Sequence, residues 1–163
     1  SEEWLLHFNA LIGGKTTTVE NVRLSNLWPW ASVSSDGASL SSAGPTSVKK
    51  SHPNTYGNFP CFFRMYVNME KVLRLEDAVR KCTSLPAQQL RLKDRGLIKE
   101  GMWADVVIFD SDKIQDKATY EDREAFPEGI DYVLVNGEIV VEKGRQAKIL
   151  PGKVLRRGAS GVA

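Results

Sequence analysis

The sequence predicts an α+β chain, helix-rich in front and β-rich behind. Three observations carry this. Apolar side chains recur at helical spacing through "FPCFFRMYVNMEKVL" (59–73) and "LRLEDAVRKCTSL" (73–85). From Gly96 onward the period shortens to that of strands. Two β-branched runs there flank Asn136-Gly137, a pair that tolerates positive φ at both centres of a type I′ turn. The predicted organisation is a front portion, residues 1–95, of a strand, a long loop and helices, and a small β portion, residues 96–163, with a hairpin at 131–143.

Taken in order, residues 4–12, "WLLHFNALI", are densely apolar and stop at Gly13-Gly14; periodicity leaves helix and buried strand both open. Thr18 to Asn26 predicts a helix, with Thr18 able to cap it and Glu20 in its first turn. "WPWASVSS" (28–35) reads as a strand with Pro29 at its entry. A polar, Gly/Ser/Pro-rich segment follows and closes on "HPNTYGNF" (52–59). Pro60 then belongs in the first turn of the helix from Phe59, a position that tolerates a missing N–H. The helix over "LRLEDAVRKCTSL" buries Leu75, Ala78, Val79 and Cys82, and Pro86 ends it or opens another. "PAQQLRL" (86–92) predicts a short third helix closed by Asp94-Arg95-Gly96. "GLIKEGMWADVVIFD" predicts a strand, a glycine turn and an apolar strand from Ala104 to Phe109. The tail from Gly144 adds at most one strand and then frays.

With 42% hydrophobic and 26% charged residues, 163 positions suffice for a real core. A net charge of +2 and scattered basic residues give no electrostatic case for nucleic acid, and "KVLRR" (153–157) is too short for a polybasic tract. No apolar run is long enough to span a bilayer. The acidic opening "SEEW" differs from the basic start of a secretory signal, so the expected location is cytoplasmic, with neither nucleic acid nor membrane as partner. Cys61 and Cys82 form no C-x-x-C pair and lie in apolar contexts, which predicts two buried reduced thiols; a disulfide is possible, but the spacing does not ask for one.

Asp36 reads two ways. An acid at a strand end before glycine can hold its carboxylate above a sheet, beside a metal, where it can move a proton between bound water and a leaving group. Asp-Gly is also a commonplace turn pair. An irregular stretch this long is usually a functional loop or a disordered one, and His52, Asn54 and Tyr56 at its end are groups that can line a polar pocket. The metal inventory is short. The two histidines, His7 and His52, form no H-x-H or H-E-x-x-H, and His7 sits in an apolar stretch that suits a core histidine. P-loop, dinucleotide and G-x-S-x-G motifs are absent from the sequence.

The motifs "SSDG", "HPNTYGNFP", "AVRKCTSLPAQQLRLKDRGLIKEGMWADVVIFD", "ATYEDREAFPEGIDYVLVNGEIVVEKG" and "LPGKVLRR" occur in that order. They closely resemble the C-terminal third of N-acyl-D-amino-acid deacylases, the D-aminoacylase branch of the metal-dependent amidohydrolase superfamily, from about Asn21 to Arg157. The resemblance implies a TIM-type barrel with a small β-domain and zinc activating water to hydrolyse a linear amide C–N bond. It implies that Asp36, in the S-D-G motif, ends the last barrel strand, contacts the metal and acts as general acid/base. It implies further that the chain from about Gly96 is half of a β-sandwich.

Two departures stand out. The family's zinc ligands, an H-x-H, a cysteine and two later histidines, precede the S-D-G motif, and this chain has none of them. The family also usually has an arginine after His-Pro to hold the substrate carboxylate; here Asn54 stands in its place, and a neutral amide lacks the charged fork. The expectation is a truncated amidohydrolase: inactive as an isolated chain, binding no zinc by itself, with Asp36 a metal ligand only if the remaining ligands come from elsewhere. Its expected partners are a complementary barrel fragment or a second copy, and an N-acyl small molecule when complete. The alternative is a non-catalytic module of the same descent that dimerises or binds a partner through uncovered strand edges. A metal-free hydrolase built on Asp36, His52 and Tyr56 ranks behind both, because no serine is singled out as nucleophile.

Overall fold

A computed structural model describes residues 18–35, 37, 40, 45–47 and 52–155. The expectations for residues 4–12, His7, Asp36 and the basic pair at 156–157 lie outside the described residues. Contacts divide the chain into one unit over Ser1–Ser32 and a larger one over Val33–Ala163.

In the first unit, α1 spans Val19–Leu27, as the Thr18 signal predicts. Thr18 is extended, and its Oγ1 accepts the Asn21 N–H at 3.2 Å, satisfying one of the four amides that a helix start leaves open. Trp28 leaves the helical region and Pro29 follows, a residue that cannot continue a helix.

The expected strand at 28–35, and with it the barrel-end strand, is absent among the described residues. The backbone bond recorded for this stretch within the larger unit runs from the Val33 N–H to the Lys81 carbonyl, at a helix end rather than a neighbouring strand. A strand exists only as part of a ladder, and β propensity cannot replace the missing partner.

In the larger unit, α2 (Asn54–Phe62) runs without a break into a π-helical segment, Phe63–Met69. The helix therefore begins ahead of the predicted Phe59, and Pro60 falls inside it rather than in its first turn. The early start has a local cause: the His52 Nδ1 accepts the Asn54 N–H at 3.1 Å, and the buried Pro53 fixes φ just before it. Phe62, Phe63 and Tyr66 are buried as the spacing predicts, whereas Phe59 and Met69 remain exposed.

Next, α3 (Leu75–Cys82) buries Ala78 completely, and α4 (Ser84–Gln89) has Pro86 in its first turn, with Leu85 and Ala87 buried. The predicted close at Asp94-Arg95-Gly96 comes too late. Arg91 adopts φ 59°, and the Arg91 and Leu92 amides reach back to the Gln88 and Ala87 carbonyls at 3.0 and 2.8 Å. That is a Schellman ending with an arginine where glycine is usual.

The first strand expected after Gly96 is also absent. Met102 N–H bonds to the Lys99 carbonyl around Gly101 (φ 84°), so the chain turns where a strand would have to extend. Among the described residues four strands form, β1 (Val106–Phe109), β2 (Ile130–Val135), β3 (Glu138–Glu142) and β4 (Arg145–Gln146), and they make one antiparallel sheet in that order. Asn136 (φ 51°) and Gly137 (φ 89°) form the predicted tight turn, and β4 is the one strand expected from the tail. The arrangement is thus α+β. Among the described residues no helix is long and apolar enough to cross a membrane.

The core joins the two portions. Phe62, Phe63, Tyr66, Ala78 and Ile114 cluster with the partly buried Leu73, Phe109 and Ile130, and the Phe63 and Phe109 rings lie 5.3 Å apart at a tilt. Both cysteines are free thiols. Burial, and for Cys61 also nearby Asp116, pushes Cys61 up to about 11; burial pushes Cys82 up to about 12.

A second knot lies at the hairpin tip. Asn136 Oδ1 accepts from Arg95 Nη2 and its Nδ2 donates to the Pro151 carbonyl, both at 2.6 Å, while its N–H donates to Asp105 Oδ1 at 2.8 Å. Arg95 also pairs with Asp105 through Nη1 and lies over the Trp103 ring, with Lys153 Nζ 3.9 Å from the same ring centre.

Asn136→Gly, which keeps the positive φ, should cost about 2 kcal/mol through its lost side-chain bonds. Asn136→Ala should cost roughly 1 kcal/mol more because it adds a Cβ in the left-handed region; urea melts of both variants check the ordering. Because both thiols are raised above the usual 9.0, their share of stability is present below about pH 9 and is lost as the pH climbs through about 11 to 12. At pH 8, alkylation of Cys61 in the native chain should be at least about a hundredfold slower than in urea.

Candidate functional site

The two ends of the long loop are brought together by amide chemistry. Asn54 and Asn58 lie one turn apart on the same face of α2. Asn54 Nδ2 donates to the Ser35 carbonyl at 2.9 Å and Asn58 Nδ2 to the Ser34 carbonyl at 3.1 Å. The Gly37 N–H closes onto Ser35 Oγ at 3.2 Å. A Cβ on Gly37 would stand 3.4 Å from the Thr55 Cα, so this turn lies against the first turn of α2. The residues flanking Asp36 are therefore fastened to the His-Pro-Asn turn, although Asp36 itself lies outside the described residues.

His52 is held at both ring nitrogens. With Nδ1 accepting the Asn54 amide, the proton of the neutral ring is assigned to Nε2, which donates to Tyr120 Oη at 2.7 Å; the two rings meet edge to face. The imidazole thus caps α2 and also clasps a segment 68 residues further along the chain.

That segment, residues 117–127, folds on its own turn. Thr119 Oγ1 accepts the Glu121 and Asp122 amides, and Thr119 N–H donates to the Asp122 carbonyl at 2.9 Å. Arg123 Nε donates to the Tyr120 carbonyl at 3.0 Å, and its guanidinium lies 5.5 Å from the centre of the Tyr120 ring. Phe126 meets Tyr56 edge to face with centres 5.7 Å apart. Beneath this, Arg64 pairs with Asp116 at 2.6 Å, and Gly57 leaves the room Asp116 needs: a Cβ there would stand 2.9 Å from its Cβ.

Burial raises both phenols above their ordinary value. Glu124 adds to the effect at Tyr56, whereas Arg123 opposes it at Tyr120. Both are hydroxyl donors at neutral pH.

Of the four residues picked out by sequence, His52, Asn54 and Tyr56 share this cluster. Asn54 is only 5% exposed and its amide nitrogen is committed to Ser35. Tyr120 and Arg123 were not legible. Nothing local marks a tyrosine as the partner of so distant a histidine, and the Thr119 turn that fixes them does not point to it.

The donor chemistry does not fit a zinc site within the described residues. The one ring lone pair of His52, on Nδ1, is taken by the Asn54 N–H, and no group of three or more His, Cys, Asp or Glu side chains gathers among the described residues.

The sequence profile of the amidohydrolase family matches residues 9–141. The chain is 43% identical over 109 residues to an N-acyl-D-glutamate deacylase of Alcaligenes xylosoxydans xylosoxydans, covering 67% of this chain and 22% of that one. It is 38% identical over 107 residues to an N-acyl-D-aspartate deacylase of the same organism, again with 22% of that protein covered. Among solved structures, a D-aminoacylase superposes with a TM-score of 0.77 at 31% identity over 86% of this chain and 28% of its own. An N-acyl-D-glutamate deacylase of Bordetella bronchiseptica, complexed with zinc and a phosphonate inhibitor, superposes with a TM-score of 0.67 at 34% identity over 82% and 27%. The chain therefore spans about a quarter of the length of these relatives.

We predict that Asn54→Ala destabilises the chain by about 1–3 kcal/mol, because it breaks a buried bond and leaves the Ser35 carbonyl without that donor. The more exposed Asn58→Ala should cost less than about 1 kcal/mol. Equal costs in chemical melts would show that the tie at Ser35 has no special weight.

Proposed function

Because the chain belongs to the amidohydrolase family, we propose that it is a portion of a D-aminoacylase-type deacylase, an enzyme that hydrolyses the linear amide C–N bond of N-acyl-D-amino acids. The observation that carries this reading is the fastening of Ser34, Ser35 and Gly37 onto the start of α2. Such a fastening fixes the backbone on both sides of Asp36, and a general acid/base works only when its carboxylate is held within hydrogen-bond reach of the proton it moves.

In this reading Asp36 exchanges a proton with the attacking water and the leaving nitrogen. His52 and Tyr56, backed by Tyr120 and Phe126, form one wall of the substrate site. Asn54 is a positioning residue rather than a reader of substrate. The sheet from Val106 onward is half of a β-sandwich completed by other parts of the enzyme. In this reading the zinc ligands come from other parts of the enzyme, and the 163-residue chain by itself neither holds the ion nor turns over substrate.

The test has two arms. The purified 163-residue chain should carry well below one equivalent of zinc and show no release of acetate from N-acetyl-D-glutamate. Co-expressed with the barrel portion of a D-aminoacylase-type relative, it should regain turnover, and Asp36→Asn should then lower kcat by about 10²–10⁴-fold. Turnover by the chain alone, or restored turnover indifferent to Asp36→Asn, would sink the reading.

A second reading, a self-associating module without catalysis, draws on β1, where the successive residues Val107 and Ile108 are 51% and 50% exposed. Sedimentation at micromolar concentration separates the two: this reading requires a dimer, and a monomer rules it out.

A further inference from the structure

The helical run from Asn54 to Met69 carries three sulfur-bearing side chains, and all three meet one guanidinium. Arg64 Nη2 lies 3.6 Å from Cys61 Sγ, and its Nη1 lies 3.6 Å from Met65 Sδ and 3.2 Å from Met69 Sδ. The backbone makes this convergence possible. Met69 is five residues beyond Arg64, a step that an ideal α-helix would turn about 140° away. The π-helical segment Phe63–Met69 turns more widely, with the Glu70 N–H reaching the Met65 carbonyl at 2.8 Å, and so brings residues five apart onto one side. Such turns are frequent at functional sites. Thioethers are weak acceptors, and the strong bond of Arg64 goes elsewhere, from Nε to Asp116 Oδ1 at 2.6 Å. The outer half of the cation is thus held among soft donors that satisfy it poorly. Beside it opens a cavity of about 360 Å³, lined in part by Arg64, Asp112 and Glu128, so the head has room to swing aside with acidic residues nearby.

We propose that Cys61, Met65 and Met69 form a site for a soft monovalent cation, Cu(I), which takes the place held by the outer nitrogens of Arg64. One thiolate with two thioethers is a donor set that selects Cu(I) over harder ions. On binding, the Cys61 S–H bond breaks, its proton passes to solvent and a Cu–S bond forms, with no change of oxidation state. Arg64 keeps its Nε bond to Asp116 and turns its Nη groups aside. Cys61 is buried and Met69 exposed, so the ion enters from the Met69 side. The site draws no donor from the His52 cluster and holds or fails apart from the hydrolytic reading.

The probe is Cu(I) itself, titrated without air into the 163-residue chain against bicinchoninate, a chelator whose Cu(I) complex is coloured. One Cu(I) per chain is expected, with only sulfur neighbours in its X-ray absorption spectrum, and excess Zn(II) should not displace it. Cys61→Ser should weaken binding at least about a hundredfold and Met69→Leu about tenfold. Cys82→Ser, which removes the other thiol, should leave it unchanged. Because Met69 is exposed, Met69→Leu keeps the fold and carries the test even where Cys61→Ser lowers stability; circular dichroism of each variant checks this. The proposal is overturned if the wild type takes no Cu(I) from the chelator, if Met69→Leu binds it as tightly as the wild type, or if Cys82→Ser rather than Cys61→Ser loses the ion.

Discussion

A buried amide must find its partners, and in this chain that requirement organises everything around it. Asn54 is removed from water at the first position of α2, where its side chain would forfeit roughly 1–3 kcal/mol if left without a hydrogen bond. It resolves this by donating to Ser35, nineteen residues earlier. With Asn58 one turn on, it converts the mouth of a long irregular segment into a closed one. The same position receives the backbone bond to the His52 ring, and the ring then has one nitrogen left, which it gives to Tyr120. Three stretches of sequence thus meet through one helix start, and each bond fixes the orientation that the next requires.

The packing below shares this logic. Phe62, Phe63 and Tyr66 lie further along the same helical run that Asn54 opens, and they carry the core across to Phe109 and Ile130 of the sheet. Seven residues of π-helix fall in this contact region, between the polar knot at one end and the sheet contact at the other. At the far end, the Asn136 hub ties the hairpin tip to Arg95, Asp105 and Pro151. Polar knots thus bracket a modest apolar core, as expected of a chain this short with large hydrophobic residues still on its surface.

What the sequence made legible follows from the range of the interactions involved. The Thr18 cap, the Asn136-Gly137 turn and the amphipathic run after Phe59 are set by neighbours within four residues, and all three appear in the structure. The strands expected at 28–35 and after Gly96 do not form, because alternation and β-branching cannot report whether a ladder partner exists. The end of α4 was misplaced because Arg91 takes a left-handed conformation usually signalled by glycine. In the candidate site, His52, Asn54 and Tyr56 were legible as polar groups closing a long loop, whereas Tyr120 and Arg123 were not. Their membership depends on a contact 68 residues long, for which a single sequence carries no signal.

The neutral amide at Asn54 also has a physical consequence for where a charge can sit. A guanidinium confined in the volume Asn54 occupies would be stripped of water, and an ion so placed is tolerable only with a counter-charge and full hydrogen bonding. The Ser35 carbonyl there is one neutral acceptor. On residues 117–127 the balance differs. Arg123 keeps partial contact with solvent while a carbonyl and an aromatic face hold its head, so the charge is oriented without being fully desolvated. The two positions are therefore unequal homes for one cation. The helix start gains rigidity by staying neutral, and the segment across His52 is the one that can carry charge at small cost.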